Sequence, residues 1–269
     1  MLSILKSALN ANSSEMGIVS NNIANANSTA FKKSTANFEH IYSIHKSTNP
    51  DAFSGRGVGM SDPRIQMSQG SFQTTGGALD LAISGTGFFP VVQGDQIDTP
   101  FFTRDGSFNI TAEGQVVTND GLTVMGFLGE NEENAVLNNL IIPTTKQNAD
   151  QTTSIISNIN VASNGKITAT YGLDDEVIIG SFVLASFVNS PGLTPTGNNR
   201  FQNNIKSGLP EFGIPMDGPF GKINAGNLER ANVDITSEMV TMLKTQQAFS
   251  GVSRLLQTEV DITKRLIDG

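Results

Sequence analysis

The feature that most constrains this chain is a long helical pattern at its C-terminal end, from Gly226 to Gly269. Apolar residues recur there every three or four positions and no proline interrupts them, which predicts one helix of about 35 residues and about 50 Å, beginning at an Asn232 N-cap. The residues of its predicted assembly seam are Ile235, Met239, Met242, Gln246, Phe249, Val252 and Leu256. Helices of this length are typical of coiled coils and packed assemblies.

A second helical pattern occupies the N-terminal end of the chain. Its seam positions alternate by three and four residues, as in a heptad repeat, and they are Leu2, Leu5, Leu9, Asn12, Met16, Val19 and Ile23. Asn12 is a polar interruption of the kind that fixes register. We predict that the two helices pack together or against copies of the chain. The alternative is that the N-terminal helix simply lies on a core with its polar face in water.

The middle of the chain carries the signals of short strands. From Ala78 the apolar residues alternate with a period of two. Three turn dipeptides, Asp105-Gly106, Glu113-Gly114 and Asp120-Gly121, recur at intervals of about eight residues and predict a meander of hairpins. Asn164-Gly165 predicts a further hairpin turn, and residues 101–109 are predicted to form one strand.

These patterns predict an α+β fold. The long N- and C-terminal helices are expected to pair as a coiled-coil-like core domain, with a β-rich and mostly antiparallel domain inserted between them in sequence. The predicted limits are 1–43 and 227–269 for the helical core domain, 44–77 for an extended connector and 78–226 for the β-rich domain.

Composition excludes several classes of function. The net charge of -8 argues against binding of a phosphate backbone, which needs clustered lysine and arginine. The absence of cysteine excludes disulfides, thiolate catalysis and cysteine-based zinc sites. No apolar run approaches the roughly 20 residues of a membrane span, and the first residues lack the pattern of a cleaved signal peptide. We therefore predict no membrane insertion and no nucleic-acid partner.

The polar residues do not assemble into a catalytic or metal-binding pattern. His40 and His45 lie five residues apart, whereas a metal pair on a helix needs a spacing of four. The acidic cluster of residues 174–176 lacks the order of a calcium loop and is interpreted as a solvated turn. The glycines of residues 55–59 do not have the spacing of a nucleotide-binding loop. Arg104 and Asp105 are interpreted as residues that pair with Asp80 in the sheet, in a structural role. We predict no enzyme activity, no cofactor and no metal.

Three blocks of sequence together resemble the bacterial flagellar rod and hook proteins. The first spans residues 20–38 and the second residues 79–127. The third lies in the C-terminal stretch, where Glu238-Met239 and residues 246–249 also match. The motif residues carried by the first and third blocks are Asn21, Asn22, Ala24, Asn25, Phe31, Lys32, Asn232, Val233 and Asp234. The blocks occur in the family's order and cover both ends and the middle of the chain.

The resemblance implies a structural subunit of the flagellar axial structure. Such a subunit polymerises into a helical tube that transmits torque and conducts exported subunits. Implied partners are copies of the chain, adjacent rod, hook and junction proteins, a cap protein and the flagellar type III export apparatus. The implied location is the periplasmic rod or the extracellular hook, reached without a cleaved signal peptide.

The length of 269 residues favours a rod subunit, because hook proteins of this family usually carry extra outer domains. A short hook protein lacking outer domains is the alternative. A phage or secretion-system tube subunit is a more distant one, and it would lack the heptad pattern at the ends. A carbohydrate-active or proteolytic enzyme would need a constellation of catalytic residues that the sequence does not offer.

Overall fold

The computed structural model describes residues 1–44, 53–94, 99–129, 137–147, 153–172 and 175–268. The chain forms two compact units. The first comprises residues 1–27, 32–66 and 233–269, and the second comprises residues 28–31 and 67–232. The second unit is thus inserted in the sequence of the first. Helices at both ends and a large, mostly antiparallel β-rich unit confirm the predicted α+β class.

The first unit consists of two helices and a long hairpin. Helix α1 spans Leu2–Ala24, strands β1 and β2 span Ser34–Ile44 and Phe53–Ile65, and helix α2 spans Ile235–Asp268. The strands pair antiparallel from Ser34 opposite Ile65 to Ile44 opposite Phe53. Helix α1 contacts both α2 and the hairpin. Neither described helix carries a stretch that is long and apolar enough to cross a membrane.

Strand β2 occupies part of the segment predicted as an extended connector. The sequence did not predict this strand because β2 is rich in glycine, and glycine is disfavoured in strands. At Gly57 the backbone has a φ of +106°, and an added Cβ would meet the Ser7 hydroxyl of α1. The same hydroxyl accepts a hydrogen bond from the Val58 N–H at 3.3 Å. These glycines therefore permit the close approach of β2 to α1, and the domain limits predicted from the sequence stay a prediction.

The start of α2 differs from the prediction. The Asp234 carboxylate accepts hydrogen bonds from the N–H groups of Thr236 at 3.0 Å and Ser237 at 3.4 Å, so Asp234 caps the helix. The prediction of Asn232 as the N-cap is wrong, since its amide instead donates to the Ser68 carbonyl and hydroxyl oxygens, both at 3.0 Å.

The second unit is built from eighteen described strands and one 3₁₀ turn. The strands are β3 Phe72–Thr74, β4 Leu81–Ser84, β5 Phe89–Val92, β6 Phe101–Thr103, β7 Phe108–Ile110, β8 Val116–Thr118, β9 Thr123–Leu128, β10 Leu137–Asn139, β11 Thr145–Gln147, β12 Thr153–Val161, β13 Lys166–Tyr171, β14 Asp175–Phe182, β15 Leu184–Ser186, β16 Thr194–Gly197, β17 Arg200–Gln202, β18 Glu211–Gly213, β19 Lys222–Ala225 and β20 Asn227–Glu229, and the turn is Ser190–Gly192. The main sheet runs β11-β12-β13-β14-β9-β5-β6-β17-β16, with β7, β8 and β10 joined to it.

Aromatic rings fill the core of this unit. Phe89 packs edge-on against Phe108, with ring centroids 5.1 Å apart, and Phe108 stacks on Phe182 at 5.9 Å. Strand β13 alternates buried and half-buried side chains, as a sheet with one face on the core requires. Three short antiparallel pairs, β3 with β20, β4 with β19 and β15 with β18, complete the unit.

Most of the predicted turns are confirmed. β7 and β8 form a hairpin around Gly114, β8 and β9 around Gly121, and β12 and β13 around Gly165, and all three glycines have positive φ. The single strand predicted over 101–109 is wrong. The Asp105 carboxylate accepts hydrogen bonds from the Ser107 N–H at 3.1 Å and hydroxyl at 2.7 Å, which turns the chain between β6 and β7.

Gly106 and Gly121 form a matched pair for a stability test. A Cβ on Gly106 would collide with the carbonyl oxygen of Leu81, whereas Gly121 has a φ of +80° and open space around it. We expect Gly106→Ala to destabilise the second unit by about 3 kcal/mol or more, because the backbone at Leu81 cannot move aside. Gly121→Ala should cost only about 1–2 kcal/mol, from its left-handed conformation alone. Hydrogen exchange of the β4–β9 amides measures the stability of the second unit in both variants. Equal losses of stability in the two variants would contradict the clash assigned to Gly106.

Candidate assembly surfaces

The buried and half-buried residues of helix α1 cover a wider part of its surface than the single predicted row. Its least exposed residues are Ala11, Val19 and Asn22, at 6%, 4% and 1%. Of the predicted N-terminal seam, Leu5, Leu9, Asn12, Met16 and Ile23 are half-buried, Val19 is buried and Leu2 is exposed. The stripe is wide because α1 contacts α2 on one side and the β1–β2 hairpin on another.

Helix α2 keeps a strict heptad row on its covered side. The buried and half-buried residues of that row step by four and three, and they are Glu238, Met242, Thr245, Phe249, Val252, Leu256 and Glu259. The predicted seam shares Met242, Phe249, Val252 and Leu256 with it. Its remaining members, Ile235, Met239 and Gln246, are exposed in the single chain.

Glu238 and Thr245 are absent from the predicted seam, which contains the neighbouring positions Met239 and Gln246 instead. Thr245 tolerates burial, since its hydroxyl donates to the Thr241 carbonyl one turn earlier at 2.9 Å. The signal that would have found both residues is the spacing itself. The predicted seam contains two successive steps of three, from Gln246 through residue 249 to residue 252. A row through Glu238 and Thr245 alternates steps of four and three without a break.

A polar cluster joins the two helices to the hairpin within the first unit. The buried Asn22 amide donates to the Ser34 carbonyl at 2.8 Å and to the Glu238 carboxylate at 3.1 Å, and its oxygen accepts from the Ser34 N–H at 3.0 Å. The Lys33 ammonium lies 3.5 Å from the same carboxylate. Asn22 and Glu238 are 216 residues apart in sequence, so this contact fixes the register of α1 against α2.

Replacement of Asn22 tests that cluster. We expect Asn22→Leu to lower the free energy of unfolding of the first unit by about 2–4 kcal/mol, because it leaves the Ser34 N–H and part of a buried carboxylate without a partner. The matched control is Asn21→Leu at the exposed neighbouring position, which should change stability by less than about 0.5 kcal/mol. Urea unfolding, followed by the circular dichroism signal of the helices, measures the free energy of unfolding of both variants. Equal values for the two variants would contradict the role assigned to Asn22.

A buried ion pair lies in the second unit. Glu229 is fully buried, its carboxylate accepts from the Gly70 N–H at 2.8 Å, and the Arg104 guanidinium lies 3.5 Å away. Arg104 also donates to the Gly85 carbonyl at 2.9 Å and lies over the Phe88 ring. Burial lowers the pKa of Arg104 below its ordinary value, and the charge of Glu229 opposes that shift. The predicted partner Asp80 is therefore wrong, because Glu229 offers Arg104 a carboxylate inside the core.

The remaining motif residues have local roles. Asn25 donates to the Asn21 carbonyl at 2.9 Å and closes the last turn of α1. In the second unit the Asn232 N–H donates to the Phe31 carbonyl at 3.3 Å, which ties the two sequence motifs together. Lys32 is buried, Phe31 and Val233 are half-buried, and Ala24 is exposed.

Helix α2 leaves apolar side chains uncovered near its start. We define the α2 strip as Ile235, Met239, Val240 and Leu243, which are 40%, 51%, 46% and 58% exposed. Near the other end of α2, an open groove of about 350 Å³ is lined by Leu2, Val260, Thr263, Lys264 and Ile267. Exposed apolar side chains grouped in this way are typical of surfaces that contact another molecule.

The sequence was compared with models of protein families and with known proteins. Three family models match it: "Flagella basal body rod protein" over residues 2–32, "Flagellar hook protein FlgE/F/G D1 domain" over 82–169 and "Flagellar basal body rod FlgEFG protein C-terminal" over 224–268. The chain is 33% identical to the flagellar basal-body rod protein FlgG of Buchnera aphidicola subsp. Acyrthosiphon pisum, over 98% of this chain and 96% of that protein. The chain belongs to the flagellar rod and hook protein family.

Two other relatives, one a rod protein and one a hook protein, differ in how much of their own length this chain matches. The FlgG rod protein of Agrobacterium fabrum is 30% identical over 96% of this chain and 94% of its own length. The flagellar hook protein FlgE of Salmonella typhimurium is 29% identical over 61% of this chain and 40% of its own length. Like other flagellar rod and hook proteins, this chain is a structural protein and not an enzyme.

Most of the candidate chemical residues of the sequence lie in the described part of the chain. Within the residues that the structure describes, no group of three or more histidine, aspartate or glutamate side chains is placed to hold a metal ion. His45 and Asp174 lie outside the described residues. The glycines of residues 55–59 lie in β2. Burial raises the pKa of the Asp105 carboxyl, against the two hydrogen bonds from Ser107 that lower it.

Proposed function

We propose that this chain is a subunit of the flagellar rod, and that it polymerises into a helical tube through its terminal helices. The observation that carries the proposal is the α2 strip. One side of α2 contacts α1, while the strip of four apolar side chains on the same helix stays in water. An exposed apolar strip on a 34-residue helix is best explained by a neighbouring subunit that covers it.

The proposed polymer uses the α2 strip for contact with the next subunit. In this proposal α1 and α2 pair as a coiled-coil-like core, and the predicted seam residues Ile235 and Met239 contact the next subunit. A contact between different surfaces of identical chains can repeat from one chain to the next, and it builds an open helical filament where the rotation between neighbours does not close a ring. Such a filament can enclose a channel, which is the form that a conduit for exported subunits needs.

The length relations support the rod over the hook. The rod relatives match over 94% and 96% of their own length, whereas the hook relative matches over only 40% of its length. A rod subunit would lie in the periplasm beside other rod, hook and junction proteins. We further propose that it arrives through the flagellar type III export apparatus without a cleaved signal peptide, and assembles beneath a cap protein.

Deletion of the chain tests the rod assignment. Basal bodies isolated from cells that lack it should show an absent or shortened rod and no hook in electron micrographs, and a plasmid copy should restore both. Complete rods that lack only the hook would identify the chain as a short hook protein instead. Complete rods with complete hooks would refute both assignments.

A further inference from the structure

The last part of the second unit in sequence pairs with the first part of the same unit. We define the closing segment as residues 222–232, which contain strands β19 and β20. Strand β19 pairs with β4, from Lys222 opposite Ser84 to Ala225 opposite Leu81, and β20 pairs with β3. Among the described strands, β3 and β4 have no other ladder partner. The strand pairing at the beginning of the unit therefore depends on the closing segment.

The closing segment also fills part of the core of the unit. Ile223 is fully buried and belongs to the same apolar cluster as Ile83 of β4 and Ile167 of β13. Its N–H donates to the carbonyl of Ser163, between β12 and β13, at 3.0 Å. Without the closing segment, the core would be open to water from β4 to the β12–β13 hairpin, and closely packed interiors tolerate such gaps poorly.

Polar contacts join the closing segment to three other parts of the unit. The buried Glu229 carboxylate lies 3.5 Å from the Arg104 guanidinium, 125 residues away in sequence. It also accepts from the Gly70 N–H, 159 residues away. The Glu229 carbonyl accepts from the Ala30 N–H at 2.7 Å. Without the closing segment the buried Arg104 would lose its carboxylate, and breaking a buried ion pair is strongly destabilising.

We infer that the closing segment controls when the second unit folds, because the unit has no stable fold until residues 222–232 are in place. This inference rests on the proposed function, in which the chain reaches the rod through an export apparatus. If the chain crosses that apparatus unfolded, the unit cannot close until both residues 28–106 and the closing segment have emerged. This holds whichever end emerges first, since contacts between distant parts of a chain require both parts. The unit would then fold in one step on arrival.

Native-state hydrogen exchange of the purified full chain tests the inference. The N–H groups of Ile223 and Arg230 report on the closing segment, because both donate hydrogen bonds to carbonyls elsewhere in the unit. We expect their protection factors to lie within about threefold of those of the slowest β13 amides, because the closing segment opens only when the whole unit unfolds. Protection at least about tenfold lower than in β13 would show that the segment opens by itself, and would overturn the inference.

Ile223→Ala provides a second measurement. It should accelerate exchange of the β13 amides as much as exchange of the closing segment. The expected factor is at least about thirtyfold, the lower end of the effect of truncating a buried isoleucine. Acceleration confined to the closing segment, β3 and β4 would show that the rest of the unit folds without the segment, which would contradict the inference. The control is Ile155→Ala in β12, where the side chain is 69% exposed, and it should change exchange by less than about twofold.

The result separates this inference from the proposed function. Hydrogen exchange is measured on the isolated chain, so its outcome does not depend on whether the chain is a rod subunit. If the closing segment opens by itself, the inference fails and the rod assignment stands. If isolated basal bodies contain no copy of the chain, the rod assignment fails, and with it the link between folding and export.

Discussion

Leu243→Asp is expected to abolish swimming while helix α2 still forms. Leu243 is 58% exposed in the single chain, so a carboxylate there should disturb the subunit little. In the proposed polymer the same position is covered. Burial of a leucine contributes roughly 1.5–3 kcal/mol, and an unpaired carboxylate in an apolar contact costs several kcal/mol more. The loss recurs at every subunit, so assembly should fail cooperatively.

Leu243→Met is the control at the same position. It keeps the volume and apolar character of the side chain, so it should cost less than about 1.5 kcal/mol and leave swimming intact. Circular dichroism of both purified variants checks the helix, and motility with micrographs of basal bodies checks assembly. Normal swimming by Leu243→Asp cells, with the variant shown to be present, would rule out an assembly role for the α2 strip.

Arg104→Met should lower the free energy of unfolding of the second unit by about 3–5 kcal/mol. The variant removes the Arg104 cation from beside the Glu229 carboxylate, and the loss of one charge from a buried ion pair is strongly destabilising. Arg104→Met combined with Glu229→Gln should recover at least half of the loss, because the glutamine oxygen still accepts the hydrogen bond from Gly70. Hydrogen exchange of the β5–β9 amides measures the difference.

The double variant separates two explanations of that result. If Arg104 acts only by filling space, the loss should be the same whether residue 229 is glutamate or glutamine. A double variant as unstable as Arg104→Met would therefore contradict the ion-pair account. A single variant within about 1 kcal/mol of the unchanged protein would show that Glu229 is stabilised by its other contacts.

The sequence predicted those elements whose signal is local. The two helices follow from their apolar spacing, and the hairpins at Gly114, Gly121 and Gly165 follow from the need for positive φ in tight turns. The alternation of apolar residues that begins at Ala78 predicted strand structure in the region where β4 and β5 lie. Each of these depends on neighbours along the chain, so no knowledge of distant contacts was required.

The errors arose where distant residues decide the structure. Strand β2 is rich in glycine because α1 lies against it, which only the packed unit reveals. Arg104 selects Glu229, 125 residues away, over a nearer aspartate. Glu238 and Thr245 can lie in the covered row of α2 because each makes a hydrogen bond there. Asn22 donates to the Glu238 carboxylate, and the Thr245 hydroxyl donates to a carbonyl of the helix. The predicted motif residues and seams remain predictions about an assembly that a single chain does not contain.

Electron cryo-microscopy of isolated basal bodies, at a resolution that separates helices in the rod, tests most directly whether the terminal helices build the rod. We expect this chain to fit the rod density as a helical array. In that array α1 and α2 surround a central channel, and Leu243 is buried against a neighbouring copy. A rod density that accommodates this chain with Leu243 facing solvent in every copy, or that does not contain the chain at all, would contradict the account.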